Sequence, residues 1–197
     1  MAGPQIITNI CSKYRVPGTA RCGRSPRPVI LGRSPLAGEA RLTMSPDPVP
    51  APQPLTAGTV PSHAGCLLCG DRNPLSLKLR FTPDGADGVQ GSFACREILQ
   101  GYDGMVHGGV IAALLDCAMT HCLFHHGIEA VTADLQVRYR LPLSCRARVD
   151  LRARFVQFHP PLYRLTAEIR VGDQLVARAA GAFIDAARRP APVGNGT

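Results

Sequence analysis

The chain has 197 residues, 45% of them hydrophobic, and a formal net charge of +8, so it can bury one good core. Five of the eight net charges fall in residues 1–61, where Lys13, Arg15, Arg21, Arg24, Arg27, Arg33 and Arg41 face only Glu39 and Asp47; from Cys66 to Asp185 the balance is 13 basic to 12 acidic. A nearly neutral folded part without a basic, aromatic-bearing stripe excludes nucleic acid as the expected partner. No stretch approaches the roughly 20 apolar residues of a bilayer span, so no membrane is expected either.

Eleven of the 18 prolines precede residue 65, in a Pro-, Gly-, Ser- and Arg-rich stretch without apolar periodicity. Such a segment cannot bury enough surface to offset its chain entropy. Residues 1–61 are therefore read as a disordered leader, 62–187 as the folded domain and 188–197 as a flexible tail. The leader lacks the charged start and apolar run of a secretory signal, and its prolines argue against the amphipathic helix of a transit peptide. Arg outnumbers Lys 20 to 2, which suggests a GC-rich coding sequence, and Met44 offers an internal start.

The eight cysteines do not read as a disulfide framework, because Cys117 and Cys122 sit within an apolar helical pattern and Cys95 and Cys145 stand isolated at strand ends. A reducing, cytoplasmic compartment is the expectation. Cys66-Leu-Leu-Cys69-Gly70 has the spacing of a zinc knuckle, and His63 is a third candidate ligand. Tetrahedral zinc needs four ligands, however, and no second Cys pair follows. The expectation is no metal, with an apolar turn leading into the first strand and a redox pair as the other alternative.

Leu75 to Phe81 alternates apolar with polar or small positions, and Val89 to Cys95 can pair back across Pro83-Asp-Gly85-Ala-Asp-Gly88, which predicts a hairpin. A helix follows from Gly108 to about Phe124, ended by His125-His126-Gly127. Four strands complete the chain: Val131 to Leu141, Ala147 to Phe158, one carrying Leu165, Ala167, Ile169 and Val171 on a single face, and Leu175 to Ile184. The order is ββαββββ. The single long apolar helix is the element that can cover the buried face of such an antiparallel sheet.

That helix also carries the chemistry. Gly108 and Gly109 open it with bare N–H groups that can stabilise an oxyanion on a substrate carbonyl. Asp116 is flanked by Ala112, Leu115, Ala118 and Met119, surroundings that raise a carboxyl pKa and suit a general base or nucleophile. Eight residues at 1.5 Å each place Gly108 and Asp116 roughly 12 Å apart, too far for one carbonyl to touch both. Two helices packed antiparallel across a two-fold axis would bring them together, so the motif predicts a dimer. His107 either orients the preceding loop, hydrogen-bonds the substrate carbonyl or caps the helix. His121 and His125, with Cys117 a turn earlier, lack a fourth ligand and read as helix-end histidines beside the C-terminal dipole. Arg138, Arg140, Arg146, Arg148, Arg152 and Arg154 fall in the polar phase of the strands and read mostly as a solvated face.

Several motifs coincide: Cys66-x-x-Cys69-Gly70 with Asn73-Pro74, Gly101-Tyr-Asp-Gly104-Met-Val-His107-Gly108-Gly109, Leu115-Asp116, and Thr132-Ala-Asp-Leu-Gln-Val-Arg-Tyr-Arg-Leu-Pro142. In them the chain, from about Cys66 to Asp185, resembles the hotdog-fold acyl-CoA thioesterases of the PaaI-like (phenylacetic-acid-type) group. The resemblance implies an α+β hotdog fold, with an antiparallel sheet wrapped around one central helix, and hydrolysis of acyl-CoA thioesters without a cofactor by a homodimer or dimer of dimers. It gives Gly108 the oxyanion N–H, Asp116 of the facing subunit the role of base or nucleophile, and Thr132 a hydroxyl that helps hold water. Gly109 and Gln100 would contact substrate. Some relatives carry Asn or Gln just before the His-Gly-Gly step, where this chain has Gly101 with Gln100 beside it. A dehydratase or hydratase of the same fold would need a catalytic His paired with an acid further along the helix, and a non-catalytic acyl-CoA sensor would normally add a DNA-binding helix pair. Neither pattern is present. Removal of residues 1–60 is expected to leave melting temperature and turnover essentially unchanged; a large fall in melting temperature would make the leader structural.

Overall fold

The computed structural model describes residues 61–188, so the expected leader, apart from Pro61, and the expected tail, apart from Arg188, lie outside the described residues. Six strands and one helix follow in the order β1 (Thr82–Pro83), β2 (Gly88–Ala94), α1 (Gly108–His125), β3 (Ala130–Tyr139), β4 (Arg148–His159), β5 (Leu162–Val171) and β6 (Gln174–Asp185). All pair antiparallel in one sheet ordered β1-β2-β4-β5-β6-β3. The chain leaves β2 near one edge, runs through α1 and returns in β3 at the opposite edge. This is the hotdog arrangement expected from the sequence.

Period-2 burial makes the inner face. Val149, Leu151 and Ala153 of β4 and Leu165, Ala167 and Ile169 of β5 are buried against Leu114, Leu115, Ala118, Met119 and Cys122 of α1. In β6 the inward positions are Ala177, Ala179, Gly181 and Phe183, small residues but for the last, which let the helix approach the sheet. The outer face is polar, and the six arginines expected there are all exposed. Arg154 pairs with Asp84 at 3.3 Å and Arg146 with Glu97 at 3.4 Å.

The helix ends as its sequence demands. Gly127 takes a left-handed φ of 69° that a Cβ would strain. Its N–H donates to the Phe124 carbonyl at 3.0 Å, and the Ile128 N–H reaches back to Leu123 O at 3.0 Å, a Schellman closure. By length and mean hydropathy (18 residues, 1.3) α1 passes for a membrane span, but 61% of it is buried inside the fold and the sheet is what it faces.

One expected strand does not form. Leu75 to Phe81 is not the first strand of a long hairpin; only Thr82–Pro83 pairs with β2. The segment instead lies against the Cys66–Cys69 turn, with Leu77 N–H donating to Leu67 O and Leu79 N–H to Leu68 O, each at 2.9 Å. Lys78 between them has φ 56°, which breaks the extended backbone. Its Nζ is held by the carbonyls of Gly70, Asp71 and Asn73 at 2.8–3.1 Å, so a local polar network outcompetes the strand periodicity.

A Cβ at Gly181 would stand 2.8 Å from the Phe183 ring and 3.1 Å from the Met119 methyl, both in the core. Gly181→Val should therefore overpack this contact and cost about 1–3 kcal/mol in urea unfolding; unchanged stability would mean that α1 does not seat on β6 as described.

Candidate active site

Asp116 lies half-buried in the middle of α1. The Thr132 hydroxyl on β3 donates to its Oδ1 at 2.7 Å, a short bond of the charge-assisted kind. The β3–β6 register shifts between Thr132 and Asp134, and such a bulge re-aims side chains where a strand edges a site. Two residues 16 apart in sequence are thus joined by a strand irregularity.

Burial raises the Asp116 carboxyl above its ordinary value, while the Thr132 hydrogen bond and the charge of His63 act in the opposite direction. Burial prevails, as the apolar neighbours in the sequence imply. The site thus keeps a carboxylate that holds its proton more readily than a surface aspartate, the property a general base needs near neutral pH.

At the start of the same helix His107 caps it: its Nδ1 accepts from Gly109 N–H at 2.9 Å. Of the three roles left open for His107 in the sequence, the cap is the one whose hydrogen bond forms, and the Gly109 N–H is spent within the chain. Gly108 is the first residue of α1, so its N–H has no intrahelical partner. Its carbonyl accepts from the Tyr139 hydroxyl at 2.9 Å, which ties the helix start to the end of β3. Sequence reasoning missed Tyr139, because strand alternation marks it only as one more apolar position. The Gln100 side chain accepts from Gly104 N–H at 3.2 Å and so stabilises the entry loop. A Cβ at Gly101 would press on the His107 ring at 3.1 Å, so bare backbone at this position lets the loop fold onto the cap.

Gly108 and Asp116 stand two turns apart on one helix, and the roughly 12 Å between them follows from its rise. The structure therefore brings Asp116 and Thr132 together, and His107 with Gly109, but not the two halves of the expected site. β3, which carries both Thr132 and Tyr139, is an edge strand with β6 as its one neighbour among the described residues.

Residues 103–178 match the family model of the thioesterase superfamily. No curated protein matches. Among solved structures, a thioesterase superfamily protein is similar with TM-score 0.55 and 27% identity over 58% of this chain; the chain spans only 60% of that protein's length. A mutant of the phenylacetic acid degradation protein PaaI from Thermus thermophilus is similar with TM-score 0.51 and 25% identity, over 55% of this chain and 94% of that one. A Streptococcus mutans protein solved with acetyl CoA shares the fold at TM-score 0.52 and 18% identity, over 54% and 87% of the two chains.

A raised carboxyl pKa means the native state holds the proton more tightly than the unfolded chain. The contribution of Asp116 to stability therefore falls as pH rises from the ordinary aspartate value to the raised native one. Asp116→Asn removes this loss, so the variant should melt higher than wild type at neutral pH, with the gain fading on acidification. Melting curves that show a lower midpoint at neutral pH would contradict a desolvated carboxylate.

Proposed function

We propose that the chain hydrolyses acyl-CoA thioesters, with Asp116 as the general base or nucleophile and the Gly108 N–H as the oxyanion donor of a facing subunit; the match of residues 103–178 to the thioesterase superfamily model supports this reading. The observation that carries this reading is the Asp116–Thr132 pair at 2.7 Å, set among Ala112, Leu115, Ala118 and Met119 of the helix. A carboxylate so placed is a cost to the core unless it is used.

Thr132 occupies Oδ1 and leaves Oδ2 to take a proton from water. The water oxygen attacks the thioester carbonyl carbon while its proton passes to Asp116. The negative charge that develops on the carbonyl oxygen is met by the Gly108 N–H and the positive end of the helix dipole. Collapse of the tetrahedral intermediate breaks the C–S bond, and the departing sulfur takes the proton back from Asp116. Direct attack by the carboxylate on the carbonyl is the variant of this path in which water acts second.

The roughly 12 Å between the two groups on one helix requires the second subunit, and the open edge of β3 supports pairing with a second copy. In such a dimer the apolar surface between subunits would hold the acyl or aryl group. The same fold holds acetyl CoA in the Streptococcus mutans protein.

Free-thiol release from a panel of aryl-, short- and long-chain acyl-CoAs tests the reaction. Turnover of at least one class is expected, and Asp116→Asn should lower it by roughly 10²-fold or more. Activity of the variant within a few fold of wild type removes Asp116 from the mechanism, and tight binding of acyl-CoA without thiol release would make the domain a binding module instead.

With Asp116 as the base, its ionisation should set the acid limb of the rate profile above the ordinary carboxylate range. Thr132→Val removes a hydrogen bond that lowers this pKa, so the acid limb should move to higher pH; a limb that stays in place would separate Thr132 from the titrating group.

A further inference from the structure

The Cys66-Leu-Leu-Cys69-Gly70 turn is more elaborately built than a lead-in to a strand requires. Leu68 N–H points at Cys66 Sγ at 3.3 Å, and Gly70 N–H donates to Cys66 O at 2.9 Å. A Cβ on Gly70 would lie 2.4–2.6 Å from the backbone of Cys66 and Ala64, so only glycine fits there. Arg80 Nη1 holds Cys69 O at 2.8 Å, and the Asn73 side-chain amide holds Gly65 O at 3.0 Å. A turn fixed in this way presents its two sulfurs in a set direction.

They point at ligand-type side chains. The donor atoms of His63, Cys66 and Cys69 lie within 4.8 Å of one another, and so do those of Cys69, Cys117 and His121. Cys69 is the corner shared by both triads. His63 Nδ1 stands 3.8 Å from Cys69 Sγ; a tetrahedral metal with a nitrogen at ~2.0 Å and a sulfur at ~2.3 Å sets that edge at about 3.5 Å. The Nε2 of His121 is buried without a hydrogen-bond partner. α1 thus offers His121 as a fourth ligand, which lies within 4.8 Å of Cys69 but not of both His63 and Cys66, so the ring and the turn must close up on the ion to complete a tetrahedron.

We propose that the Cys66–Cys69 turn and helix α1 together bind a thiophilic divalent cation of the zinc class, ligated by His63, Cys66, Cys69 and His121, with the Cys117 S–H donating to the Cys69 sulfur. The buried Nε2 of His121, without a hydrogen-bond partner, favours this set over one with Cys117 as the fourth ligand. On binding, the protons still on the Cys66 and Cys69 sulfurs pass to water. The cation would fasten the start of the domain to the helix one turn beyond Asp116, which gives the site a structural role.

The test uses the full chain, purified reduced. Elemental analysis should find one zinc per chain, and Co2+ in its place should give the visible d–d absorption of a tetrahedral ion with a thiolate-to-cobalt charge-transfer band. Chelation should lower the melting temperature. Cys69→Ser should lose the metal, and so should His121→Phe, which keeps a ring against Phe81 and Phe124. Cys117→Ala should retain one zinc with affinity about 10- to 100-fold weaker, the usual effect of losing an outer hydrogen bond. Reduced wild-type protein that takes up neither zinc nor cobalt stoichiometrically overturns the proposal, and that measurement decides the matter even if Cys69→Ser fails to fold. A Cys69–Cys117 disulfide in metal-free protein, or full affinity in His121→Phe with loss in Cys117→Ala, overturns it as well.

Discussion

A carboxylate in the middle of the core helix is the constraint from which the other features follow. α1 has to be apolar to fill the inner face of the sheet, and Leu114, Leu115, Ala118 and Met119 do so. Asp116 interrupts that surface, and its raised pKa records the cost of its burial. The cost is tolerable because Thr132 satisfies one oxygen, and Thr132 reaches it because β3 shifts register at that point. Helix, bulge and hydroxyl make one arrangement, and loss of any of them would leave the carboxylate either unsatisfied or unnecessary.

The second constraint is length. A rigid helix fixes the distance between its start and its middle, so the N–H of Gly108 and the carboxylate of Asp116 serve one carbonyl only if they come from different chains. The features around the helix start are consistent with a site that is held ready for a partner. His107 closes the Gly109 N–H, Tyr139 holds the Gly108 carbonyl, and the Gln100 side chain braces the loop that leads in. Each removes a competing hydrogen-bonding group while leaving the Gly108 N–H without an intrahelical acceptor.

Much of this was legible in the sequence, for identifiable reasons. The helix bounds followed from the His-Gly-Gly start and the Gly127 stop, where backbone requirements admit few residues. The last four strands followed from strict alternation, with termini displaced by a few residues. Position 116 stood out because its helical neighbours are apolar. The strand expected over Leu75 to Phe81 failed because periodicity does not register the pull of three carbonyls on Lys78. Spacing groups His121 with His125 and Cys117, whereas in the fold His121 and Cys117 group with Cys69. That grouping joins the Cys66–Cys69 turn to a helix far along the chain, and nothing local announces it.

The proposal that the site is shared between subunits can be tested by mixing two variant subunits. Asp116→Asn lacks the base; Gly108→Pro lacks the oxyanion N–H, yet places proline at the first helical position, where it is well tolerated. Each homodimer should be nearly inactive. In a mixed dimer one site combines the intact Asp116 of one chain with the intact Gly108 of the other, while the second site collects both defects. Activity per mixed dimer should recover toward half that of wild type, with circular dichroism confirming that both variants are folded. Folded, demonstrably mixed dimers that remain inactive, or a wild-type chain that is monomeric while fully active, would contradict a catalytic site shared between subunits.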